Sequence, residues 1–269
     1  MKKSIFHFDK RETVDALRAQ RARTFALLED LTEAQWSTEI VPGWRTREVA
    51  AHLVVTDEAS LTGKFLLWGV RQKSIPEIEA WNDRHVPKWA DRPIPELLEG
   101  LEKWGRRFAR VASAAPKGLA SLSFPNGFGR VSLFWLGMLR IYDEWVHIED
   151  VRRALTLPDD GGVETLPAAA KFMLAGIPIQ TLSEIPEGAA GTLAIGFVDI
   201  DTPSLSIDLG TRQFGIGLPA DAQIKGPAAS LIMVAAGRDP WRDVEAAGHL
   251  RITGDRKAAE TFLDVLRVV

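Results

Sequence analysis

The apolar residues of this 269-residue chain repeat with two different periods, and the change of period most constrains its fold. Before residue 158 they recur at helical spacing, most clearly over residues 97–111, where large apolar side chains follow a helical repeat. From residue 192 they alternate with a period of two, which is typical of strands. The segment from Pro158 to Gly162 separates the two regions and is rich in turn-forming residues. The sequence therefore predicts two domains, at residues 1–157 and 163–269.

The first domain is predicted to be a four-helix bundle with up-down connections, its helices lying near residues 9–30, 46–71, 95–115 and 132–155. Residues 76–95 are predicted to form a loop-rich insert, and residues 124–129 a turn-rich loop. The second domain is predicted to be smaller, with helices packed on an antiparallel sheet in which residues 222–226 form an edge strand. The predicted fold class is α+β.

Composition excludes several functional classes. A formal net charge of −3 gives no basic field for nucleic acid. No apolar run reaches the 18–20 residues or so of a membrane span, and the first residues lack a signal-peptide pattern, so a cytoplasmic location is expected. The chain has no cysteine, which excludes cysteine-based zinc sites and a protein thiol nucleophile. A metal site would need His, Asp or Glu, and thiol chemistry would need a small-molecule thiol.

A polar stripe runs along the predicted helix at residues 140–155, which contains neither glycine nor proline. At about 100° per residue, the stripe fits within an arc of roughly 120° on an otherwise largely apolar helix. It consists of Arg140, Asp143, Glu144, His147 and Asp150. Such a stripe is either a solvent-exposed face or a functional site, and periodicity alone favours the exposed face.

Two histidines lie inside predicted helices of the bundle, His52 and His147. Bundle cores build metal sites from inward side chains on facing helices. Asp143, four residues before His147, offers a carboxylate to the same ion, and Glu144, three residues before it, is a rival ligand. The two nitrogens and one oxygen would suit Zn²⁺ or a similar divalent ion with open positions. The alternative is a solvated stripe with an Arg140–Glu144 pair of a few tenths of a kcal/mol.

Three further residues have two interpretations each. Asp150 either orients His147 or pairs with Arg153 on the surface. His85, in the predicted insert, either contacts a ligand or packs beside its neighbouring tryptophans. Arg238 follows a predicted helix end, where it either contacts an acidic ligand or is a surface cation favoured at a helix C-terminus.

Two segments of the first domain resemble motifs of one family. Residues 42–53, Pro-Gly-Trp-Arg-Thr-Arg-Glu-Val-Ala-Ala-His-Leu, resemble the second-helix motif of the DinB-like metalloprotein superfamily, in particular its mycothiol-dependent maleylpyruvate isomerase family. Residues 140–154 resemble the fourth-helix motif of that family. Residues 229–238 and 250–255 are similar to the sterol-carrier-protein-2-like domain that is often fused to it. The resemblance covers essentially the whole chain.

The resemblance implies a zinc-type metal held by His52, Asp143 and His147, although the carboxylate is usually Glu in the zinc isomerases, so Glu144 stays a rival. It also implies a low-molecular-weight thiol that binds at the metal as a thiolate and adds to an electrophile. Arg238 matches an arginine that family members place near a substrate carboxylate. The predicted function is a metal-dependent, thiol-using isomerase or transferase that acts on a small, acidic electrophile.

Two alternatives remain open at this point. The chain is a non-catalytic lipid or small-ligand binder that uses the carrier-like domain, or a structural or regulatory member that has lost its chemistry. The expected partners are a small-molecule substrate and a thiol, without nucleic acid or a membrane span. A monomer and a homodimer are both compatible with the sequence.

Overall fold

The structure, a computed structural model, describes residues 7–64, 75–116, 118, 121–122, 124–126, 129–158, 160 and 162–268. The chain forms two compact units, one over Asp9–Thr165 and the other from Leu166 onward, to which Phe8 also belongs. The domain bounds 1–157 and 163–269 stay a prediction. No helix in the described ranges is long and apolar enough to cross a membrane.

Four long helices dominate the first unit. They are α1 (Lys10–Glu29), α3 (Thr46–Leu61), α6 (Ile94–Ala114) and α7 (Leu133–Ala154). Helix α1 packs against α6 and α7, and α3 packs mainly against α6. This arrangement confirms the predicted helical bundle.

Short elements connect the long helices. They are α2 (Glu33–Trp36), the strands β1 (Glu39–Val41) and β2 (Trp44–Arg45), the helices α4 (Ile75–His85) and α5 (Pro87–Ala90), and the strands β3 (Phe124–Asn126) and β4 (Gly129–Val131). Both strand pairs are antiparallel. Thr32 and Gln35 form a capping box at the start of α2.

Two predictions for the connections were wrong, and one reaches beyond the described residues. The region 76–95 is largely helical rather than loop-rich, because Pro76 and Pro87 stand in first turns, where the missing N–H of proline removes no helical hydrogen bond. Within the predicted loop at 124–129, residues 124–126 form β3 and Gly129 begins its partner β4. The part of the predicted second helix at 65–71 lies outside the described residues.

The core of the first unit forms where the apolar faces of α1, α3 and α7 meet the neighbouring helices. Helix α3 is buried almost all round between Val49 and Asp57. Leu28, Leu53 and Ile148 belong to one cluster of fully buried side chains. Burying apolar surface at about 25 cal/mol per Å² holds these helices in contact, so polar groups on α3 and α7 are enclosed with the core.

The second unit combines helices with one five-stranded sheet. Its helices are α8 (Leu166–Gln180), α9 (Ala228–Ala235), α10 (Trp241–Ala246) and α11 (Arg256–Leu263), with a 3₁₀ turn at Leu182–Glu184. Its strands are β5 (Thr192–Phe197), β6 (Leu205–Asp208), β7 (Gln213–Ile216), β8 (Ala222–Gly226) and β9 (Arg251–Gly254), in the order β7-β6-β5-β8-β9.

The predicted α+β class is confirmed, but two details of the sheet were wrong. Strand β8 is interior rather than an edge, because it pairs with β5 on one side and β9 on the other. The β5–β8 pair is parallel, so the sheet is mixed rather than antiparallel. Burial alternates along β8, but alternation reports which face of a sheet is covered and not whether a strand has two neighbours.

Candidate metal centre

The polar stripe of α7 is enclosed in the bundle. Arg140, Glu144, His147 and Asp150 are buried, and the Asp143 side chain, the most open of the five, is 21% exposed. Charged groups are rarely enclosed unless they are paired or bind a metal. The stripe is therefore not the solvent-exposed face that periodicity alone favoured.

Local capping fixes the direction of the two histidine-bearing helices. At the start of α3, the Glu48 carboxylate accepts hydrogen bonds from the Arg45 backbone and side chain, and Thr46 Oγ1 donates to the carbonyl of Gln35 at 2.8 Å. At the start of α7, Ser132 Oγ accepts from the backbone N–H of Trp135. His52 and His147 project from these helices toward each other, and their ring centres are 5.0 Å apart.

Three potential metal-ligand atoms converge between α3 and α7. His52 Nε2 lies 3.4 Å from Asp143 Oδ1, and His147 Nε2 lies 3.7 Å from the same oxygen. One ligand atom from each of the three residues can be chosen so that all lie within 4.8 Å of one another. Donors about 2.0–2.2 Å from a tetrahedral zinc ion are roughly 3.3 Å apart. The cluster is thus close to the dimensions of a three-ligand site.

The protonation states of the cluster suit metal binding. Burial lowers the pKa of His52 and favours its neutral imidazole, the form that binds a metal. Burial raises the pKa of Asp143, but the nearby His52 and the Arg140 guanidinium outweigh it and hold the pKa of this carboxyl well below its usual range. Asp143 is therefore ionised across the physiological range.

The donor set also fits a metal chemically. Two imidazole nitrogens and one carboxylate oxygen match the ligands of catalytic zinc, which keeps at least one position open. Nδ1 of His52 is buried and has no hydrogen-bond partner among the described residues, so that part of the structure shows no competing network for the ring. These residues fit a resident divalent cation.

Trp44 forms an aromatic wall beside the two histidines. Its ring centre is 5.2 Å from that of His52 and 5.9 Å from that of His147, and it stacks on the latter at an interplanar angle of 22°. The tryptophan lies on β2, just before α3. It is a large, apolar side chain that restricts access of water to the histidines from that side.

Glu144, the rival ligand, is directed away from the cluster. Its Oε2 lies 3.0 Å from Nη2 of Arg21 on α1, and the converging group does not include it. Burial, with the repulsion of Asp57, raises the pKa of Glu144 even though Arg21 opposes the shift. Of the two neighbouring carboxylates, the structure brings Asp143 to the histidines and Glu144 to α1.

Asp150 is enclosed on the other side of His147. Its Oδ2 lies 3.5 Å from His147 Nδ1, an ion-pair separation rather than a hydrogen bond. A carboxylate at this position is the usual partner that fixes the orientation of a metal-binding imidazole. The position agrees with the orienting interpretation of Asp150.

His85 and Arg238 are not members of the converging group. His85 packs on Trp81, with ring centres 4.3 Å apart, and its Nδ1 lies 2.7 Å from the Trp81 carbonyl oxygen, as the packed interpretation expects. Arg238 belongs to the second unit, where its Nη1 lies 3.3 Å from the carbonyl oxygen of Ala236. Its backbone N–H closes the end of α9 on Met233. The role of Arg238 toward a substrate carboxylate stays a prediction.

Sequence reasoning missed two charged residues next to the site. Asp57, on α3, accepts hydrogen bonds from Arg140 Nε at 3.0 Å and from Arg21 Nη2 at 2.6 Å. An acid within the apolar run of α3 was a usable signal for Asp57. Arg21 carried none, because α1 has other exposed charges and its pattern does not show which of them turns inward.

Comparisons with known proteins agree with this architecture. The family model of the mycothiol maleylpyruvate isomerase N-terminal domain matches residues 17–152. The crystal structure of the mycothiol-dependent maleylpyruvate isomerase is 16% identical, covers 88% of this chain and 92% of its own, and gives a TM-score of 0.58. A histidine-to-alanine mutant of that enzyme is 14% identical, covers 93% and 95%, and gives a TM-score of 0.61. These likenesses show a shared fold over most of both chains.

A partial likeness involves about a third of the chain. Palmitated SCP2L2 from Aedes aegypti is 12% identical, with coverage of 36% of this chain and 93% of its own and a TM-score of 0.32. No curated protein matches the sequence.

Proposed function

The chain belongs to the family of the mycothiol maleylpyruvate isomerase N-terminal domain, and on this premise we propose that it is a divalent-metal-dependent enzyme that uses a low-molecular-weight thiol of the mycothiol type. The proposed reaction is isomerisation or S-transfer on a small, electrophilic and acidic substrate. The observation that carries the proposal is the convergence of His52, Asp143 and His147 from two helices.

The proposed metal ligands are Nε2 of His52, Nε2 of His147 and an oxygen of Asp143. The neutral imidazole of His52, which burial favours, and the ionised carboxylate of Asp143 are forms that bind a divalent cation. When bound, the cation, for which zinc is our first choice, supplies a positive charge that lowers the pKa of a coordinated thiol toward neutrality. The chain has no cysteine, so the nucleophilic sulfur must come from the cosubstrate.

The surrounding residues bind, orient and exclude water. Trp44 covers the histidines with an apolar face, and Asp150 limits the rotation of His147 from the opposite side. Asp143 carries the negative charge that offsets part of the charge of a cation. Arg238 is proposed to bind the carboxylate of the substrate by a charge-assisted pair, which an acidic electrophile would require.

Metal analysis of protein purified without a chelator tests the first part of the proposal. Wild-type protein should retain about one zinc-type ion per chain, and His52→Ala should lose most of it. His249→Ala is the matched control, because this exposed histidine lies in the second unit and outside the converging group. Equal, negligible metal in all three proteins would refute the metal centre.

An activity assay tests the second part. Metal-loaded protein is mixed with mycothiol and maleylpyruvate, and the ultraviolet absorbance of the substrate and the mass of thiol adducts are followed. Turnover or adduct formation should require both the thiol and the metal and should be lost in His52→Ala. Metal binding without any thiol-dependent change, over a panel of small unsaturated acids, would leave a metal protein but reject the enzyme proposal.

A further inference from the structure

A chain of alternating charges runs from the candidate ligand Asp143 into the bundle. Arg140 Nη1 donates to Asp143 Oδ2 at 2.5 Å, and Arg140 Nε donates to Asp57 Oδ1 at 3.0 Å. Arg21 Nη2 then donates to the other oxygen of Asp57 at 2.6 Å. These ion pairs link α7 to α3 and α3 to α1. We refer to the four residues Asp143, Arg140, Asp57 and Arg21 as the charge relay.

The relay is enclosed more deeply than its end at the candidate site. Asp57 is 1% exposed and Arg140 is 5% exposed, whereas the Asp143 side chain is 21% exposed. Enclosing such ions costs several kcal/mol each unless the geometry is good, and apolar residues of similar volume are often as stabilising. Stability alone is therefore a weak reason for the relay.

The geometry of the Arg140 guanidinium gives a better reason for the relay than stability does. Arg140 uses two different nitrogens of one rigid plane for Asp57 and Asp143, so the position of Asp57 determines the position of the donor that reaches Asp143. Asp143 Oδ2 is occupied by this bond. His52 Nε2 lies 3.4 Å from both Oδ1 and Oδ2, and the shortest approach of His147 Nε2 is 3.7 Å, to Oδ1. Oδ1 is therefore the oxygen within reach of both histidines.

We propose that Asp57 is a positioning residue of the metal centre, which acts through Arg140 to hold Asp143 with Oδ2 bonded to the arginine and Oδ1 within reach of both histidines. This inference rests on the proposed function, because it needs the three residues to bind a metal. Asp57 itself has no contact with a ligand atom of the cluster among the described hydrogen bonds and ion pairs. Its effect must therefore pass through the arginine.

Cobalt binding to the metal-stripped full chain tests the proposal without an activity assay. Asp57→Asn should weaken Co²⁺ binding about 10- to 100-fold, as loss of an outer partner of a ligand does, and should alter the visible absorption band of bound cobalt. Glu144→Gln is the matched control, because this residue is equally buried and contacts Arg21 without a hydrogen bond to Arg140. It should leave the Co²⁺ affinity within about threefold of wild type and the absorption band unchanged.

A double-mutant cycle distinguishes positioning from a general loss of structure. In an Arg140→Met background, Asp57→Asn should cause no further loss of Co²⁺ affinity, because the connection is already broken. The double variant also removes one charge of each sign, so it should fold even where Asp57→Asn alone does not. It should bind cobalt 10- to 100-fold more weakly than wild type.

The outcomes distinguish the positioning role of Asp57 from the existence of the metal centre. Wild-type affinity and an unchanged cobalt spectrum in folded Asp57→Asn, or in the double variant, would overturn the positioning role and leave the metal centre intact. Losses that add up in the cycle would also overturn it, since Asp57 would then act by another route. Failure of wild-type protein to bind Co²⁺ or Zn²⁺ would overturn the metal centre and this inference together.

Discussion

The adjacent carboxylates at 143 and 144 should differ sharply in what they do. Asp143 lies 3.4 Å from His52 Nε2, whereas Glu144 lies 3.0 Å from Nη2 of Arg21. The substitutions Asp143→Asn and Glu144→Gln each remove one negative charge and nearly preserve the shape of the side chain. The two variants are therefore controls for each other.

Asp143→Asn should weaken Zn²⁺ binding by about 100- to 1000-fold. Structural zinc sites with four ligands bind with about 10–16 kcal/mol, so one ligand accounts for about 3–4 kcal/mol, and each 1.4 kcal/mol or so is a factor of ten. Glu144→Gln should change the affinity by less than about threefold, because its carboxylate faces α1 rather than the histidines.

Two effects compete in the stability of Glu144→Gln. Removing one partner of a buried ion pair costs about 3–5 kcal/mol, but Arg21 keeps Asp57 as a partner at 2.6 Å. Burial raises the pKa of Glu144, so its charged form is less favourable in the fold than in the unfolded chain, and its contribution falls as the pH rises through the folded-state pKa. A neutral amide avoids this penalty. The free energy of unfolding at pH 7 should therefore stay within about 1 kcal/mol of wild type.

The measurements are a Zn²⁺ titration in competition with a chromophoric chelator and urea unfolding in EDTA, both on metal-stripped protein. The reasoning is refuted if Glu144→Gln loses zinc by 100-fold while Asp143→Asn stays within threefold, because the ligand assignment is then reversed. A loss of more than about 3 kcal/mol in Glu144→Gln would show instead that its pair with Arg21 outweighs its burial.

Three further predictions use the same two measurements. Asp150→Asn should weaken Zn²⁺ binding about tenfold, because His147 loses the carboxylate that limits its rotation; wild-type affinity would exclude that role. Burial raises the pKa of Asp160, but hydrogen bonds from arginines hold it below its usual value, so Asp160→Asn should cost up to about 1 kcal/mol at pH 7. That difference should shrink as the pH falls below about 4, through the folded-state pKa, and a constant difference down to pH 2 would contradict it. Gly137→Ala should destabilise by about 1–3 kcal/mol, since its Cβ would lie 2.6 Å from Thr13 Cγ2; unchanged urea unfolding would show that α1 and α7 separate freely.

Local signals in the sequence were sufficient for the helix that carries the stripe. A run of helix-forming residues at 140–155, without glycine or proline, lay within the helix predicted at residues 132–155, and the structure has Leu133–Ala154. His52 was paired with His147 because both lie inside predicted helices of one bundle, and the likeness of two segments to one family supported the pair. Strand β8 was placed wrongly because its pairing depends on β5, almost thirty residues earlier, and periodicity carries no information about such neighbours.

Periodicity could not decide whether Asp143 or Glu144 faces the histidines. Adjacent residues on a helix differ by about 100°, so both carboxylates fit the same broad polar arc. What separates them is a cation from α1, Arg21, which lies more than a hundred residues earlier in the chain and contacts Glu144. Nothing local to residues 140–155 records that contact. The choice between Asp143 and Glu144 therefore depends on a contact with α1, which the periodicity of α7 does not show.

The positions of the proposed ligands likewise depend on contacts with other helices of the bundle. The three proposed ligands come from α3 and α7, but the charges behind them extend to Arg21 on α1. The Arg21 side chain runs past Gly105 of α6, where an added Cβ would lie 2.7 Å from its Nε. A methyl group there would push on the guanidinium that holds Asp57, and Asp57 holds Arg140. Close packing between α1 and α6 is thus linked to the Asp143 carboxylate through Arg21, Asp57 and Arg140, because each step is a short contact between rigid or charged groups.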